Sequence, residues 1–387
     1  MIDSNIIKNI TNYLSKSQNF NDRKKEKIFM DTFISNITNK DILNIKSPLW
    51  VGWKITGKCN MNCSHCWAKL NNFEEPLSVI LKTIEKFKSL EILHITLSGG
   101  EPFLRNDIFE ILSELKRNRF CLEIFSNGTL LTKNICEKLS QVLNLETDCI
   151  QISLDGSTSN TFEAQRNSDS FHLIIKNIKL LKKYNIKVRI NYTASYFNVF
   201  DIHNTYSLAN DLNIDTFSIS HVYDLNKGKN LYSKLDLNDF LNEINKCILS
   251  SSSFKTKLRI FIPVEFFSNS AKFYIQNLND CKIINPDYLL YWFINYKGDI
   301  YPDVTLEQES FKIGNIYTDS LLTLTNNFKK ISTLIYQRDL SNQVCRYCDY
   351  LTICKGGDLG RNHLLNGFPN IKDYRCNLTY NTLKKGV

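Results

Sequence analysis

"LWVGWKITGKCNMNCSHCW", Leu49 to Trp67, runs an apolar strand straight into three cysteines. Leu49 to Thr56 has the apolar, β-branched and aromatic composition of a strand. Cys59, Cys63 and Cys66 follow within ten residues of it, spaced C-x3-C-x2-C. In parallel α/β architectures the chemistry gathers beyond the carboxyl ends of the strands, so this loop is placed where a reaction centre belongs. Iron and zinc sites normally close with four protein ligands, and this loop offers three thiols. Three cysteines can hold three irons of a [4Fe-4S] cluster and leave the fourth iron open. The structural alternative is a zinc site completed by His65 or by a distant residue.

Strand-like and helical runs alternate from residue 49 onward. After "LWVGWKIT" come "ILHITL" (92–97), "FCLEIF" (120–125), "CIQISL" (149–154), "IKVRINYT" (186–193) and "DTFSISHV" (215–222). Between them, apolar residues recur at helical spacing: Leu77, Ile80, Leu81, Ile84 and Phe87; Ile108, Ile111, Leu112 and Leu115; Phe171, Ile174, Ile175 and Ile178. Six such units imply a parallel sheet, because parallel neighbours need long crossovers. A partial barrel and a doubly wound sheet both fit. Residues 1–47 read as a helical segment with two apolar faces, one through Ile6, Ile10 and Leu14, the other through Phe29, Phe33 and Ile37. Residues 48–230 form the expected α/β domain, and 231–280 are a less regular linker or bridge. Residues 281–387 are a cysteine-rich unit.

Composition narrows the class. The chain has 387 residues, 43% of them hydrophobic, and a net charge of +9. No signal-peptide h-region opens the sequence, and no apolar run is long enough to span a membrane. The expectation is a cytoplasmic protein. There, twelve cysteines point to metal or redox chemistry rather than a disulfide framework. The basic residues are dispersed, without a nucleic-acid-binding signature, so neither nucleic acid nor membrane is an expected partner.

Three further strands end in short polar loops. "SGGEP" (Ser98–Pro102) offers Gly99 and Gly100 for close backbone approach and the Glu101 carboxylate for an ammonium group. "SNG" (Ser126–Gly128) and "SLDG" (Ser153–Gly156) add small polar side chains. Each alone is a common turn; four loops in strand order carry more weight. Together with C-x3-C-x2-C they resemble the radical S-adenosylmethionine (radical SAM) enzymes, over residues 49–222. The resemblance implies a partial (β/α)6 TIM-type barrel in which S-adenosylmethionine completes the cluster of Cys59, Cys63 and Cys66. It also implies that His65 lies near the adenine. Gly99, Gly100 and Glu101 would receive the methionine amine, and Ser126, Asn127 and Ser153 the ribose or carboxylate. Arg166 would pair with the methionine carboxylate; its bland reading is a surface arginine at a helix start.

The C-terminal run Cys345-x2-Cys348-x5-Cys354-x3-Asp358, with Cys376 beyond it, is similar to the SPASM auxiliary-cluster extension. That likeness implies one auxiliary [4Fe-4S] cluster on Cys345, Cys348, Cys354 and Cys376. A zinc ribbon is the alternative. The inner-site positions are Cys281, Asp303 and Asp358, with two aspartates in place of cysteine. The inner site is therefore expected to be empty, freeing Asp303 as a proton acceptor or polar contact. The family likeness implies an enzyme that takes a hydrogen atom from a peptide substrate, maturing a ribosomally made peptide by crosslink, thioether or epimerisation. Its reductant would be a flavodoxin or ferredoxin. The alternatives are formylglycine formation in sulfatases, a small-molecule radical reaction, or a non-enzymatic electron carrier or scaffold. Val304 after "YPD" weakens the sulfatase reading.

Overall fold

Parallel strands covered on both faces usually read as continuous apolar runs. The strands of this chain alternate instead, and the alternation decides the architecture. The structure, a computed structural model, describes residues 47–223, 225–261, 263, 265–266, 282–284, 290–340, 343–348, 350–354, 356–357, 372–373 and 375–379. Residues 1–46 of the expected helical segment, together with Cys281 and Asp358, lie outside the described residues. The chain divides into two units, one holding residues 53–85 and 93–261, the other the described residues of 37–52, 86–92 and 262–387.

β1 (Trp50–Lys54) enters the first unit at Trp53, and from it the strands follow chain order: β2 (His94–Ser98), β3 (Cys121–Ser126), β4 (Cys149–Ser153), β5 (Lys187–Ala194), β6 (Thr216–His221) and β7 (Lys257–Ile260). Pairing from β2 to β7 is parallel throughout. The order never reverses, as it must in a doubly wound sheet, so the partial barrel is the arrangement found. Between the strands run α1 (Leu77–Ser89), α2 (Ile108–Arg117), α3 (Lys133–Val142), α4 (Ser159–Arg166), α5 (Phe171–Lys183) and α6 (Ile202–Asp211); α7 (Leu237–Ser250) precedes β7. The run β1–β7 thus has one strand more than the six read from sequence. The expected boundary at residue 230 falls inside this unit, because α7 and β7 extend it through the stretch read as a linker.

Strand register sorts the side chains by face. Ile95, Leu97, Leu122, Ile124, Ile150, Ile152, Val188, Ile190, Phe217 and Ile219 share one face and are at most 1% exposed. The helices contribute Ile80, Ile84, Ile111, Leu115, Ile174 and Leu181 to the same buried core. The other face is polar: Thr96 is level with Glu123, Gln151 with Arg189, Asn191 with Ser218, and Ser218 with Arg259. Glu123 and Arg189 form an ion pair at 2.5 Å on that face. The sheet is therefore amphipathic, wrapping apolar residues outward under helices and polar ones inward.

In the second unit, β9 (Tyr291–Ile294), β10 (Asp299–Tyr301) and β11 (Gly314–Asn315) pair antiparallel, as do β8 (Lys282–Ile284) and β12 (Gln337–Asp339). The β9–β10 turn uses Gly298 at φ 85°, where a side chain would be strained. Helix α8 (Leu321–Tyr336) supplies Leu324 and Phe328, fully buried with Trp292, Ile294, Ile300 and Ile313. Trp292 meets Phe328 edge-on at 5.5 Å between ring centroids. Among the described residues, no helix is long and apolar enough to cross a membrane.

Candidate functional site

The three-cysteine loop leaves β1 and returns to its own start. Gly57 N–H donates to Phe73 O at 3.0 Å and Asn71 N–H to Gly57 O at 2.9 Å. Glu74 closes the neck, accepting from Thr56 Oγ1 at 2.7 Å and Lys58 Nζ at 2.6 Å. Cys63 is buried, and Cys59 and Cys66 are half-buried. Burial pushes the Cys59 thiol up; Met61 N–H opposes this, while Glu101, Cys63 and Cys66 add to it. The three sulfurs are thus within electrostatic reach of one another. Among the described residues, no three His, Cys, Asp or Glu side chains stand in ion-holding geometry.

The loop after β2 locks the first side of the cysteine loop. Gly100 N–H donates to Thr56 O at 3.0 Å and Glu101 N–H to Lys58 O at 2.7 Å. A Cβ on Gly100 would stand 2.0 Å from Lys58 O and 2.8 Å from Cys59 Cβ; one on Gly99 would stand 2.5 Å from Thr56 O. The two glycines admit the cysteine loop itself, a role the sequence reading gave to a ligand.

Glu101 is fully buried. Its Oε1 accepts from Ser126 Oγ at 2.9 Å and Phe103 N–H at 3.2 Å, and its Oε2 accepts from Asn127 N–H at 2.7 Å. Burial raises its pKa to about 7, with the Asn127, Ser126 and Phe103 donors pulling the other way. Ser126 Oγ also accepts from Gly128 N–H at 3.0 Å. Asn127 Nδ2 donates to Asn60 Oδ1 at 2.8 Å, and Asn60 Nδ2 to Thr129 Oγ1 at 2.9 Å. The polar atoms expected to face a cofactor thus tie three loops together, with Asn60 from inside the cysteine run as the link.

Helix α4 locks the second side. Thr158 caps its start by accepting from Thr161 N–H, and Asn167, at φ 52°, ends it in the left-handed conformation. Gln165 O, in the last turn, accepts from Ser64 N–H at 3.3 Å and Ser64 Oγ at 2.7 Å, and lies 3.4 Å from His65 Nδ1. Arg166 closes the helix with 7% exposure, which overturns the reading of a surface arginine at a helix start. Its Nη1 donates to Cys63 Sγ at 3.7 Å. Its Nε stands 2.5 Å from Asp155 Oδ2 as an ion pair without the alignment of a hydrogen bond. Burial opposes the charge on Arg166, but Asp155 and Cys63 outweigh it and raise its pKa. His65 Nε2 is 3.6 Å from the same Oδ2. Burial and the Arg166 charge lower the His65 pKa to about 4, against the pull of Asp155, so the imidazole is neutral at pH 7.

Sequence reasoning quoted "SLDG" for Ser153, which is half-buried at the end of β4, and passed over Asp155. Asp155 is fully buried, and its Oδ1 accepts from Thr193 N–H at 2.7 Å. Ser195 Oγ donates to Gln165 Oε1 at 2.6 Å, and Asn198 Nδ2 to Asp155 O at 3.0 Å, joining the loop after β5 to the same network.

The second unit carries the other cysteine set. Cys345 and Cys376 are buried, and Cys348 and Cys354 half-buried. Burial first, and then Cys345, Cys348, Cys376 and Asp373, push the Cys354 thiol up to about 12. Gly357 N–H donates to Cys354 O at 2.8 Å, and Cys376 N–H to Asp373 O at 2.9 Å. Asp373 is fully buried and accepts from Arg375 through both carboxylate oxygens at 3.0 Å. Half-buried Asp303 caps a single helical turn, its Oδ1 accepting from Thr305 N–H at 2.8 Å and Thr305 Oγ1 at 2.7 Å.

Both sets suit iron–sulfur chemistry. Burial raises the Cys59, Cys66 and Cys354 thiols, and a metal that displaces their protons would take them as thiolate ligands. The first loop offers three sulfurs, matching a cluster with one open iron; the second set offers four.

Residues 53–209 match the radical SAM superfamily. The AdoMet-dependent heme synthase of Methanosarcina barkeri is 28% identical over 47% of this chain and 53% of its own length. The antilisterial bacteriocin subtilosin biosynthesis protein AlbA of Bacillus subtilis is 29% identical over 50% of this chain and 44% of its own. The match therefore spans about half the length of these curated relatives. The crystal structure of Streptococcus suis SuiB bound to precursor peptide SuiA superposes with a TM-score of 0.70 at 20% identity. It covers 87% of this chain and 77% of that one.

Proposed function

We propose that the chain, whose residues 53–209 match the radical SAM superfamily, is an enzyme that cleaves S-adenosylmethionine reductively and takes a hydrogen atom from a peptide, maturing a ribosomally made precursor. The observation that carries this is the three-cysteine loop fixed from two sides at the carboxyl ends of the strands, with three sulfurs and a buried arginine. When bound, the cluster and S-adenosylmethionine supply one-electron cleavage of the sulfonium bond and the carbon radical that attacks substrate. The protein's share is placement. Cys59, Cys63 and Cys66 hold the cluster. Gly99, Gly100 and Glu101 shape the wall toward the methionine amine, and Ser126, Asn127 and Ser153 border the ribose or carboxylate. Neutral His65 offers a planar face to the adenine, and Arg166 brings its charge near the carboxylate.

Cys345, Cys348, Cys354 and Cys376 hold one auxiliary [4Fe-4S] cluster with a structural or electron-relay role. Asp303, oriented by Thr305, serves as a proton acceptor or polar contact. A flavodoxin or ferredoxin supplies the electron, in the cytoplasm, where the thiols stay reduced. The likeness to AlbA and SuiB, whose names and titles concern a bacteriocin and a precursor peptide, supports the peptide reading. A small-molecule reaction is the second reading, favoured by the heme synthase likeness.

Anaerobic reconstitution followed by dithionite should yield 5′-deoxyadenosine, and Cys59→Ala should yield none above background. Equal yields from the two proteins would sink the proposal. Deuterium passing from a labelled candidate peptide into 5′-deoxyadenosine selects the peptide reading over the small-molecule one.

A further inference from the structure

Arg166 is oriented by two partners, and neither is a cofactor. One is the Cys63 sulfur, 3.7 Å from Nη1; the other is Asp155, 2.5 Å from Nε. Both charged side chains are at least nine-tenths buried, Asp155 completely. His65 is the third group on this spot, with Nε2 3.6 Å from Asp155 Oδ2. The arrangement is fixed from outside: Thr193 N–H holds Asp155 Oδ1, and Gln165 O holds Ser64 beside the cysteines.

We propose that Arg166 and Asp155 form a buried charge pair that sets the reduction potential of the cluster on Cys59, Cys63 and Cys66, Arg166 raising it and Asp155 restraining it. Arg166 is thus a positioning and tuning residue acting through Cys63, whether or not it also meets the methionine carboxylate. The proposal rests on the cluster assignment given above.

The physics fixes the signs. Reduction adds one electron to the cluster, from the 2+ to the 1+ state, so its negative charge grows. A guanidinium donating to a ligand sulfur stabilises that extra charge, and hydrogen bonds to sulfur and net local charge are among the main determinants of such potentials. Burial keeps the effect from being screened by solvent. A carboxylate 2.5 Å from the guanidinium cancels part of its field. Removing the cation and removing the anion must therefore move the potential in opposite directions. A purely structural pair predicts otherwise: either loss would loosen the same loop and move the potential the same way, or not at all.

The test is potentiometry, followed by electron paramagnetic resonance, on reconstituted protein without S-adenosylmethionine, in a Cys354→Ser background that leaves the barrel cluster as the reporter. Arg166→Gln should lower the midpoint potential and Asp155→Asn should raise it. A tenfold change in the reduced-to-oxidised ratio at fixed solution potential is the scale expected, about 59 mV for one electron. Arg166→Lys retains the charge without the guanidinium fork and should stay closer to the parent than Arg166→Gln. If Arg166→Gln fails to take up iron, Arg166→Lys and Asp155→Asn still decide, because Asp155→Asn must move upward. Unchanged potentials in loaded variants, or shifts of the same sign for Arg166→Gln and Asp155→Asn, would overturn the inference. Weaker S-adenosylmethionine binding with no change in the cofactor-free potential would leave Arg166 as a carboxylate partner alone. Failure of the parent protein to load any barrel cluster would instead refute the cluster assignment itself.

Discussion

At Glu101, burial and hydrogen bonding pull in opposite directions. Full burial disfavours the carboxylate, while Asn127 N–H, Ser126 Oγ and Phe103 N–H all stabilise it, and burial prevails to leave a pKa of about 7. The folded-state value lies above the ordinary 4.5. The folded chain therefore binds a proton that the unfolded chain has released between those two values. Stability of the metal-free protein should fall as pH rises from about 4.5 toward 7 and then level off, with a total on the order of 3 kcal/mol. Glu101→Gln cannot ionise. Its stability relative to wild type should be lowest near pH 4.5 and should improve by that amount by pH 8, as measured by urea unfolding at both values. A difference independent of pH would show that the carboxyl titrates normally. Glu101→Ala behaves differently, because it strands a hydroxyl and two backbone N–H groups in the interior. It should destabilise at every pH, by roughly 3 kcal/mol or more.

The cysteine loop works as an element because two neighbours hold it, and the tighter contact is at Gly100. With a Cβ placed 2.0 Å from Lys58 O, Gly100→Ala must push the β2 loop off the cysteine loop. A loss of at least about 2 kcal/mol is expected, typical of overpacking, together with impaired iron uptake by the barrel site. Normal melting and normal iron content would mean that the two loops can part without harm. This contact marks the limit of what the sequence reveals. "SGGEP" says that something approaches the backbone closely; that the neighbour is Lys58 and Cys59, rather than a ligand, depends on tertiary packing. The parallel sheet was legible in the alternating strand and helix runs, but those runs fit a doubly wound sheet as well as a barrel; the polar residues at every second strand position are what report a sheet curled around a polar interior. β7 was not, since its four residues, inside the stretch read as a linker, give too short a pattern to distinguish from a loop. Asp155 stood in plain view but reads as an ordinary turn former; only burial and the Arg166 contact give it a role. Arg166 was picked out by resemblance; that it ends α4, just before the left-handed Asn167, with its Nη1 on Cys63 Sγ, is visible only in the structure.

Across the described residues of both units, the cysteines other than half-buried Cys121 separate into buried single thiols and two sets that share their electrostatics. Cys136, Cys149 and Cys247 are buried singly, and burial raises Cys136 and Cys247 as expected of inert thiols. The loop of Cys59, Cys63 and Cys66 and the group of Cys345, Cys348, Cys354 and Cys376 are the two sets proposed above as cluster ligands. Asp303 bears on whether a third exists. Its Oδ1 takes two hydrogen bonds from Thr305 and caps a helical turn, so that oxygen already has a structural role. A carboxylate is also a harder ligand than the thiolate that iron–sulfur clusters favour. Anaerobically reconstituted protein should therefore hold about eight irons, two [4Fe-4S] clusters. Cys63→Ser and Cys354→Ser should each bring the count to about four, by emptying different sites, and only the former should abolish 5′-deoxyadenosine formation. Asp303→Ala should leave the count at about eight. About twelve irons, falling to about eight in Asp303→Ala, would mean that the Thr305-bound carboxylate ligates iron and that a third cluster is present.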